Sequence, residues 1–331
     1  MRSRVLSSLI TIILLTTLLV ACSNQNIKKT SQEDKIKKVG IIQIVEHPAL
    51  DDAREGFIKL LEEAGYKEGE NISYDYQNAQ GDMSTAQTIA KQFAYDDLDL
   101  ILAIATPTAQ AVANSVKDTP ILITAVTDPK SAGLVESIEK PGANITGTSD
   151  LTPVKEQFKL LIKIVPQAKR VGIIYNAGET NSVVQAELAE SAAKELGLEL
   201  IPATVSSSNE VYQSAQSLVG RVDAIYVPTD NTVVSAIQSV VKVTNKSNLP
   251  LIVGEDNSVE NGGLATVGIN YYNLGKQTGK MAIKIFNGAK PAEMPIQYLE
   301  NTDLVINLKA AEKMNVEIKE DLLSQAKKVI K

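Results

Sequence analysis

The chain has 331 residues, of which 44% are hydrophobic and 22% charged, so it is long enough for two domains with hydrophobic cores and is neither disordered nor fibrous. A formal net charge of -6, without a basic cluster beyond the N-terminal segment, argues against nucleic acid as a partner. One cysteine and one histidine cannot form a disulfide framework or a metal site rich in His and Cys, and we expect no metal and no cofactor.

The N-terminal segment has the pattern of a secretion signal. Arg2 and Arg4 precede the apolar run Val5–Val20, and a small residue stands immediately before Cys22. This pattern is typical of a signal peptide, here residues 1–21. The position of the only cysteine resembles a bacterial lipobox, which implies cleavage before Cys22 and a lipid anchor on its sulfur. The alternative is a plain membrane anchor, since the run approaches the length of a short transmembrane helix.

From residue 38 onward the chain contains an internal repeat. Lys38–Ile42 recurs as Arg170–Ile174, and an amphipathic helix follows each copy. Later in each copy, Pro120–Ile123 matches Pro250–Val253. Strands that alternate with amphipathic helices predict parallel sheets with right-handed crossovers. The expected fold class is therefore α/β, with two Rossmann-like lobes.

Three segments are predicted to pass between the lobes: Asn144–Thr148, Leu264–Ile269 and Asp303–Asn307. Three crossings form a hinge about which the lobes close on a ligand. The last segment, Ile318–Ile330, is predicted to be a helix. The expected divisions are a flexible tether at 22–37, an N-terminal lobe at 38–147 plus about 270–297, and a C-terminal lobe at 148–269 plus about 298–331.

The apolar run Leu98–Ala105 is predicted to be a central, buried strand. In the turn that follows, Pro107 can begin a helix and the hydroxyl of Thr106 or Thr108 can cap it. Such a helix start attracts anions, and ligands of open α/β sheets bind outside the carboxyl ends of the strands. This turn is therefore a candidate binding site; the alternative is an ordinary capped helix.

Several motifs carry a family resemblance: the lipobox, Val39–Ile42, Thr106–Thr108, Thr127–Pro129 and Gly254–Asp256. Together they resemble solute-binding lipoproteins of ABC importers with the type I periplasmic-binding fold, most of all the branch that includes tryptophan- and tyrosine-binding proteins. The resemblance implies a small-molecule solute, and it implies an ABC permease with its ATPase as partners. It also implies a lipid-anchored monomer on the outer face of the cell membrane.

Polar residues concentrate after the predicted strands of both lobes, where a cleft is expected. An amino acid needs hydroxyls and N–H groups for its carboxylate and a carboxylate for its ammonium. Our hypothesis is that Thr106 and Thr108 bind the carboxylate while Asp230 or Glu255 binds the ammonium. The predicted ligand-binding residues are Gln43, Glu46, Thr106, Thr108, Gln110, Thr127, Asp128, Asn176, Glu179, Asn181, Ser182, Asp230, Asn231, Glu255 and Asp256.

Most of these residues have a structural alternative. Asp230, Asn231, Ser182 and the pair Glu255–Asp256 stand where helix caps belong, and Asp128–Pro129 is a turn signature. A lone histidine such as His47 is more often at the surface than a ligand contact. The tyrosines Tyr175, Tyr226, Tyr271 and Tyr272 are expected to pack in the core or hinge, which leaves an aromatic ligand without an aromatic partner.

Other functions have weaker signals. The chain has no Gly-x-Ser-x-Gly nucleophile motif and no glycine-rich phosphate loop, so we do not expect an enzyme. A sugar- or nucleoside-binding protein of the same fold is an alternative, but sugars are usually held between aromatic faces and Trp is absent. A surface sensor or adhesin lipoprotein would have the same sequence signature as a transport component.

Overall fold

A computed structural model describes residues 36–331. The predicted signal peptide, Cys22 and most of the predicted tether lie outside the described residues. The strands form two sheets. The thirteen strands, in chain order, are β1 Lys37–Gln43, β2 Ile72–Asn78, β3 Leu100–Ile104, β4 Ile121–Thr124, β5 Ile145–Ser149, β6 Arg170–Asn176, β7 Glu199–Val205, β8 Ala224–Val227, β9 Leu251–Val253, β10 Ala265–Gly268, β11 Gln297–Tyr298, β12 Asp303–Asn307 and β13 Lys328–Ile330.

Helices alternate with the strands, and two short 3-10 helices occupy Ser208–Glu210 and Pro291–Glu293. Within residues 36–331, none of the helices combines the length and apolar character needed to cross a membrane. The α-helices are α1 Pro48–Glu63, α2 Met83–Tyr95, α3 Thr106–Ser115, α4 Val154–Ile164, α5 Thr180–Glu195, α6 Val211–Leu218, α7 Asn231–Ser235, α8 Ile237–Ser247, α9 Asp256–Glu260, α10 Tyr271–Phe286, α11 Leu308–Lys313 and α12 Glu320–Gln325.

The two sheets have matching topology. The first has the order β2-β1-β3-β4-β5-β11 with all neighbours parallel. The second has the order β7-β6-β8-β9-β10-β12-β13, in which only the pair β10–β12 is antiparallel. The order β2-β1-β3-β4 therefore recurs as β7-β6-β8-β9, and the predicted fold class of two parallel α/β lobes is confirmed.

Each sheet has its own hydrophobic core. The strand β3 is buried along its whole length, because helices cover both faces of the sheet. One core draws its residues from 39–145 and 269–296, and the other draws them from 154–265 and 305–322. We call the two units the N-lobe and the C-lobe.

The chain passes between the lobes three times: from β5 to α4, from β10 to α10, and from β11 to β12. The predicted third crossing, Asp303–Asn307, is itself a strand of the C-lobe sheet, and the crossing lies just before it.

The prediction of a C-terminal helix over Ile318–Ile330 is wrong for most of that segment. The helix α12 covers only Glu320–Gln325, and Lys328–Ile330 forms the edge strand β13 beside β12. Strand β12 pairs with β10 along one side only, so the backbone N–H and C=O groups on its other side are free to pair. Lys328–Ile330 forms hydrogen bonds with these groups.

Candidate functional site

A small cavity lies between the lobes, at the carboxyl ends of their strands. Its free volume is about 10 Å³, room for about one water molecule, so the lobes are closed on each other. The N-lobe and its crossings contribute His47, Ala49, Leu50, Ala125, Thr127, Asp150 and Tyr271. The C-lobe contributes Asn181, Thr229, Asp230, Asn231, Val234 and Glu255.

A wider groove of about 730 Å³, which we call the mouth groove, lies beside the cavity. Residues of both lobes line it, among them Gln110 of the N-lobe and Glu179 of the C-lobe. Asn231 lines both the groove and the cavity. The groove and the cavity therefore share a wall at Asn231.

Direct hydrogen bonds join the lobes. Asn257, at the start of α9, donates its side-chain N–H to Asp52 in the second turn of α1 over 2.8 Å. Gln110 donates to Thr180 over 3.4 Å. These bonds are few and polar, as expected for an interface that has to open and close.

Glu255 is the acid at the end of β9 and the N-cap of α9. Its Oε1 accepts a hydrogen bond from the backbone N–H of Ser258 over 2.9 Å, while its Oε2 is buried and has no partner within the described residues. Burial, with a contribution from the negative charge of Asp256, raises the pKa of Glu255 to about 7. A buried carboxylate oxygen without a partner can accept a hydrogen bond from a ligand.

His47 is buried at the start of α1, contrary to the expectation of a surface position. Only 7% of its surface is exposed, and neither ring nitrogen makes a hydrogen bond of good geometry within the described residues, although the side chain of Asn231 lies close enough to raise the pKa of the imidazole slightly. Burial lowers the pKa of His47 to about 4, so the imidazole is neutral at pH 7. A neutral imidazole offers the cavity one N–H donor and one acceptor nitrogen.

Asp230 and Glu179 organise the C-lobe wall. Asp230 caps α7 by accepting from the N–H of Val233 over 2.7 Å, and it also accepts from the N–H of Asn176 and the hydroxyl of Ser182. Burial and the negative charge of Glu179 raise the pKa of Asp230. Because its oxygens already have protein donors, Asp230 is less available to a ligand than Glu255.

Asp150 stands at the crossing after β5. Its carboxylate accepts from the hydroxyl of Tyr271 over 2.6 Å and from the hydroxyl of Thr127 over 3.0 Å. Burial raises the pKa of Asp150. Since Tyr271 begins the helix after the crossing from β10, this pair ties two of the three crossings together.

The ionisable side chains that line the cavity are mostly acidic. Asp150, Asp230 and Glu255 line it, and no lysine or arginine stands among its lining residues in the described part of the chain. A positively charged group is therefore the one that the cavity stabilises by charge, whereas an anionic group must rely on N–H and O–H donors.

The structure separates the fifteen predicted residues into three groups. Five line the cavity: Thr127, Asn181, Asp230, Asn231 and Glu255. Gln110, Asn176 and Glu179 line the mouth groove, as Asn231 also does. The remaining seven line neither space: Gln43, Glu46, Thr106, Thr108, Asp128, Ser182 and Asp256.

Members of the third group have structural partners. Gln43 donates to Asp51, and Ser182 donates to Asp230. Asp128 accepts from the backbone N–H groups of Lys130 and Ser131, as the turn alternative predicts. Asp256 accepts from Asn270 at the crossing before α10.

The start of α3 differs from the prediction. Neither threonine caps it: Ala105 is the N-cap, with φ at 82°, and the hydroxyl of Thr108 donates to the backbone oxygens of Ile104 and Ala105. The hydroxyl of Thr106 is buried without a partner within the described residues. A threonine in the first turn of a helix can turn its hydroxyl back onto preceding carbonyls, and sequence does not distinguish that from capping.

Sequence reasoning did not predict Ala49, Leu50, Ala125, Asp150, Val234 and Tyr271 as lining residues. Tyr271 packs in the core beside a crossing, as expected, and lines the cavity as well. Ala125 has φ at 55°, a strained conformation for a residue with a Cβ, at the end of β4. Asp150 directly follows Ser149 at the end of β5, and this position after a predicted crossing strand was the one available signal.

Comparison with known proteins identifies the family. A family model described as ABC transporter substrate binding protein matches residues 38–330. The chain is 45% identical over 310 residues to a protein of Clostridioides difficile (strain R20291) named tyrosine-binding protein, which covers 92% of this chain and 90% of that relative. Both likenesses span nearly the whole described structure.

Two solved structures report on the arrangement of the lobes. An ABC domain in complex with L-Trp from Streptococcus pneumonia is 38% identical, has a TM-score of 0.86, and covers 89% of this chain and 100% of its own. The ligand-free, open structure of a substrate binding protein with adhesive properties from Clostridium difficile is 47% identical but has a TM-score of 0.68, covering 89% and 99%. This chain is less identical in sequence to the L-Trp complex than to the open structure, yet its shape is closer to that of the complex. This agrees with closed lobes in this protein. With its paired lobes, three crossings and interlobe cavity, the chain belongs to the family of ABC transporter substrate binding proteins with the type I periplasmic-binding fold.

Proposed function

We propose that this protein binds an aromatic amino acid, L-tyrosine or L-tryptophan, in the interlobe cavity and delivers it to an ABC permease. The acidic cavity, with the free Oε2 of Glu255, is the observation that carries the proposal, because it suits a ligand with an ammonium group. The names of the two relatives, one called tyrosine-binding and one solved with L-Trp, support the choice of amino acid.

The proposed mechanism is closure of the lobes around the solute. In the closed arrangement the cavity has room for about one water molecule, so the solute enters when the lobes are apart, with the mouth groove as the proposed entrance. The lobes then close until both contact it. Because a solute that touches both lobes interacts more strongly with the closed state, it shifts the population toward closure, and the permease recognises that form.

Glu255 is the proposed partner of the ammonium. Its free oxygen belongs to a side chain that the cap on α9 already holds in place, so little side-chain entropy is lost on binding. Asn181 supports it, because its side-chain oxygen is also buried without a partner within the described residues. Thr127 and Asn231 complete the polar wall.

The protein acts outside the cytoplasm, as its family does, and the family is one of solute-binding proteins. We further propose that Cys22 carries a lipid that anchors a monomer to the outer face of the cell membrane. The lipobox-like end of the N-terminal apolar run supports this assignment.

Thermal unfolding of residues 23–331 with each of the twenty amino acids, common sugars and nucleosides tests the proposal. This fragment contains the whole compact unit from Ile36 to Lys331. A ligand at a hundred times its dissociation constant adds about 2.7 kcal/mol of stability, so the aromatic amino acid raises the unfolding midpoint by several degrees. A midpoint that rises only with a sugar or a nucleoside contradicts the proposal.

A further inference from the structure

The first turn of α1 presents unused backbone donors to the cavity. Pro48 has no N–H, and the N–H of Asp51 bonds to the carbonyl of His47 over 3.1 Å. The N–H groups of Ala49 and Leu50 have no partner within residues 36–331, and both residues are buried and line the cavity. Two aligned N–H groups at the start of a long helix bind an anion.

His47 adds an independent observation at the same place. Its imidazole is buried, lines the cavity, and has two nitrogens without partners in the described structure. A buried donor without an acceptor costs free energy, which a bound acceptor recovers. The side chain does not cap α1, and the side chain of Asn231, its hydrogen-bonding neighbour, lines the same cavity, so a ligand acceptor in the cavity competes with Asn231 for the imidazole N–H.

The opposite wall has the complementary character. Glu255 and Asn181 of the C-lobe each have a buried oxygen without a partner within the described residues. The unpartnered backbone donors therefore lie on the N-lobe side of the cavity, where the carboxylate of Asp150 already accepts from Thr127 and Tyr271, and the unpartnered side-chain oxygens lie on the C-lobe side. A zwitterion, with an anionic and a cationic end, matches this polarity.

We infer that the solute's carboxylate binds at the N-terminus of α1, to the N–H groups of Ala49 and Leu50 and the imidazole N–H of His47, with the ammonium toward Glu255. This inference rests on the proposed function and replaces the assignment of the carboxylate to α3. The hydroxyl of Thr108 is committed to backbone carbonyls, and neither Thr106 nor Thr108 lines the cavity.

With its carboxylate at α1 and its ammonium at Glu255, the solute links the two lobes and so favours closure. No lysine or arginine lines the cavity in the described part of the chain, so the carboxylate depends on the donors of α1. A solute held this way joins α1 of the N-lobe to the cap of α9 in the C-lobe. The same two helix starts already approach each other through the bond from Asn257 to Asp52.

The test compares each amino acid with its amide, which keeps the ammonium but has no negative charge. Calorimetric titration uses L-tyrosine and L-tyrosine amide, and in parallel L-tryptophan and its amide, with the wild type, H47A, H47F, H47Q and T106V. We expect the wild type to bind the acid about a hundredfold more tightly than the amide, and H47A to reduce that ratio about tenfold. H47Q, which keeps an N–H donor, retains most of the ratio, whereas H47F, an apolar ring without a donor, lowers it as H47A does and replaces H47A if that variant proves too unstable to titrate.

Two results would contradict the placement of the carboxylate at α1. A ratio that stays at the wild-type value in H47A, or in H47F where H47A cannot be titrated, overturns the inference. A ratio that falls in T106V but not in the donor-free variant also overturns it and returns the carboxylate to α3. In either case the wild type still binds the amino acid, so the proposed function stands. If the wild type binds neither amino acid, the proposed function fails and this inference fails with it.

Discussion

Glu255 combines two roles in one side chain. One carboxylate oxygen caps α9 through the N–H of Ser258, and the other faces the cavity without a partner in the described structure. The cap fixes the rotamer, and burial raises the pKa to about 7. A cationic ligand group beside this carboxyl favours its charged form and so lowers its pKa again.

The substitution E255Q separates these roles. A glutamine keeps an oxygen to cap α9 but removes the negative charge, so the affinity for the aromatic amino acid falls by about tenfold to a hundredfold, the value of a hydrogen bond to a charged group. Calorimetric titration measures the change. The matched control is E260Q at the exposed end of the same helix, which leaves the affinity unchanged. Equal affinities for wild type and E255Q contradict the ammonium assignment.

Tyr271 and Asp150 hold two crossings together through a buried bond of 2.6 Å. In Y271F the carboxylate of Asp150 keeps only Thr127 as a side-chain donor, so the free energy of unfolding falls by about 1–3 kcal/mol. Urea unfolding measures this loss. Tyr272, the next residue, serves as control because no hydrogen bond ties its hydroxyl to the described residues, and Y272F costs little. Similar losses in both variants refute the role of the pair.

For single residues, the sequence predicts that polar side chains gather at the ends of the strands. It predicts less well which of these side chains line the cavity. Glu255 and Asn181 stand in the cavity because they follow a strand or begin a helix at its edge. His47 was expected at the surface but is buried, whereas Tyr271 packs in the core and hinge as expected and also lines the cavity. The position of Tyr271 in the cavity depends on a contact with Asp150 across 121 residues. Such contacts have no local signal.

At the scale of elements, α1 and α10 pack unusually closely in the N-lobe. A Cβ added to Gly275 of α10 would lie 1.9 Å from the backbone oxygen of Ala53, and one added to Gly56 of α1 would lie 2.0 Å from that of Tyr272. Each glycine therefore allows the opposing backbone to approach. Since α1 carries His47 and α10 begins at Tyr271, this contact sets the positions of two cavity residues.

The substitution G275A tests the helix contact. The added methyl group forces α1 and α10 apart, and overpacking of this kind lowers the free energy of unfolding by about 1–3 kcal/mol or more. Urea unfolding of G275A is compared with K280A, an exposed change on the same helix that costs within about 0.5 kcal/mol. If G275A is as stable as K280A, the close approach of the helices does not matter for stability.

The repeat made the elements predictable. Lys38–Ile42 and Arg170–Ile174 begin β1 and β6, which occupy the same position in the two sheets. Buried parallel strands are continuous apolar runs, so periodicity and repetition reinforce each other there. At the C-terminus no repeat was available, and the short apolar run Lys328–Ile330 became an edge strand because β12 offered an open side.

At the scale of the whole molecule, closure places acidic groups of the C-lobe in a nearly dry space. Burial raises the pKa of Glu255 to about 7 and that of Asp256 to about 6. Near pH 6 the folded chain therefore holds protons that the unfolded chain has already released. A raised carboxyl pKa gives stability that is present below the unfolded pKa and is lost as the pH rises through the folded pKa.

The ligand-free protein should accordingly lose stability between pH 6.5 and pH 8. Glu255 contributes about 1 kcal/mol of this loss, and the lowered pKa of His47 offsets about 0.4 kcal/mol of it, because the imidazole of the unfolded chain is still half protonated at pH 6.5. Urea unfolding at the two pH values measures it, with E255Q as the variant that loses less. A wild type and E255Q with the same pH dependence would mean that Glu255 is already ionised in the folded state.

The central claim is that one aromatic amino acid binds between the two lobes. Calorimetric titration of residues 23–331 with L-tyrosine and with L-tryptophan tests it most directly, because it reports affinity and stoichiometry together. The account predicts saturable binding of at least one of them with one site per chain, and none of the same amino acid after N-acetylation, which removes the ammonium that Glu255 binds. Absence of binding by both amino acids, or equal binding of the N-acetylated form, would contradict it.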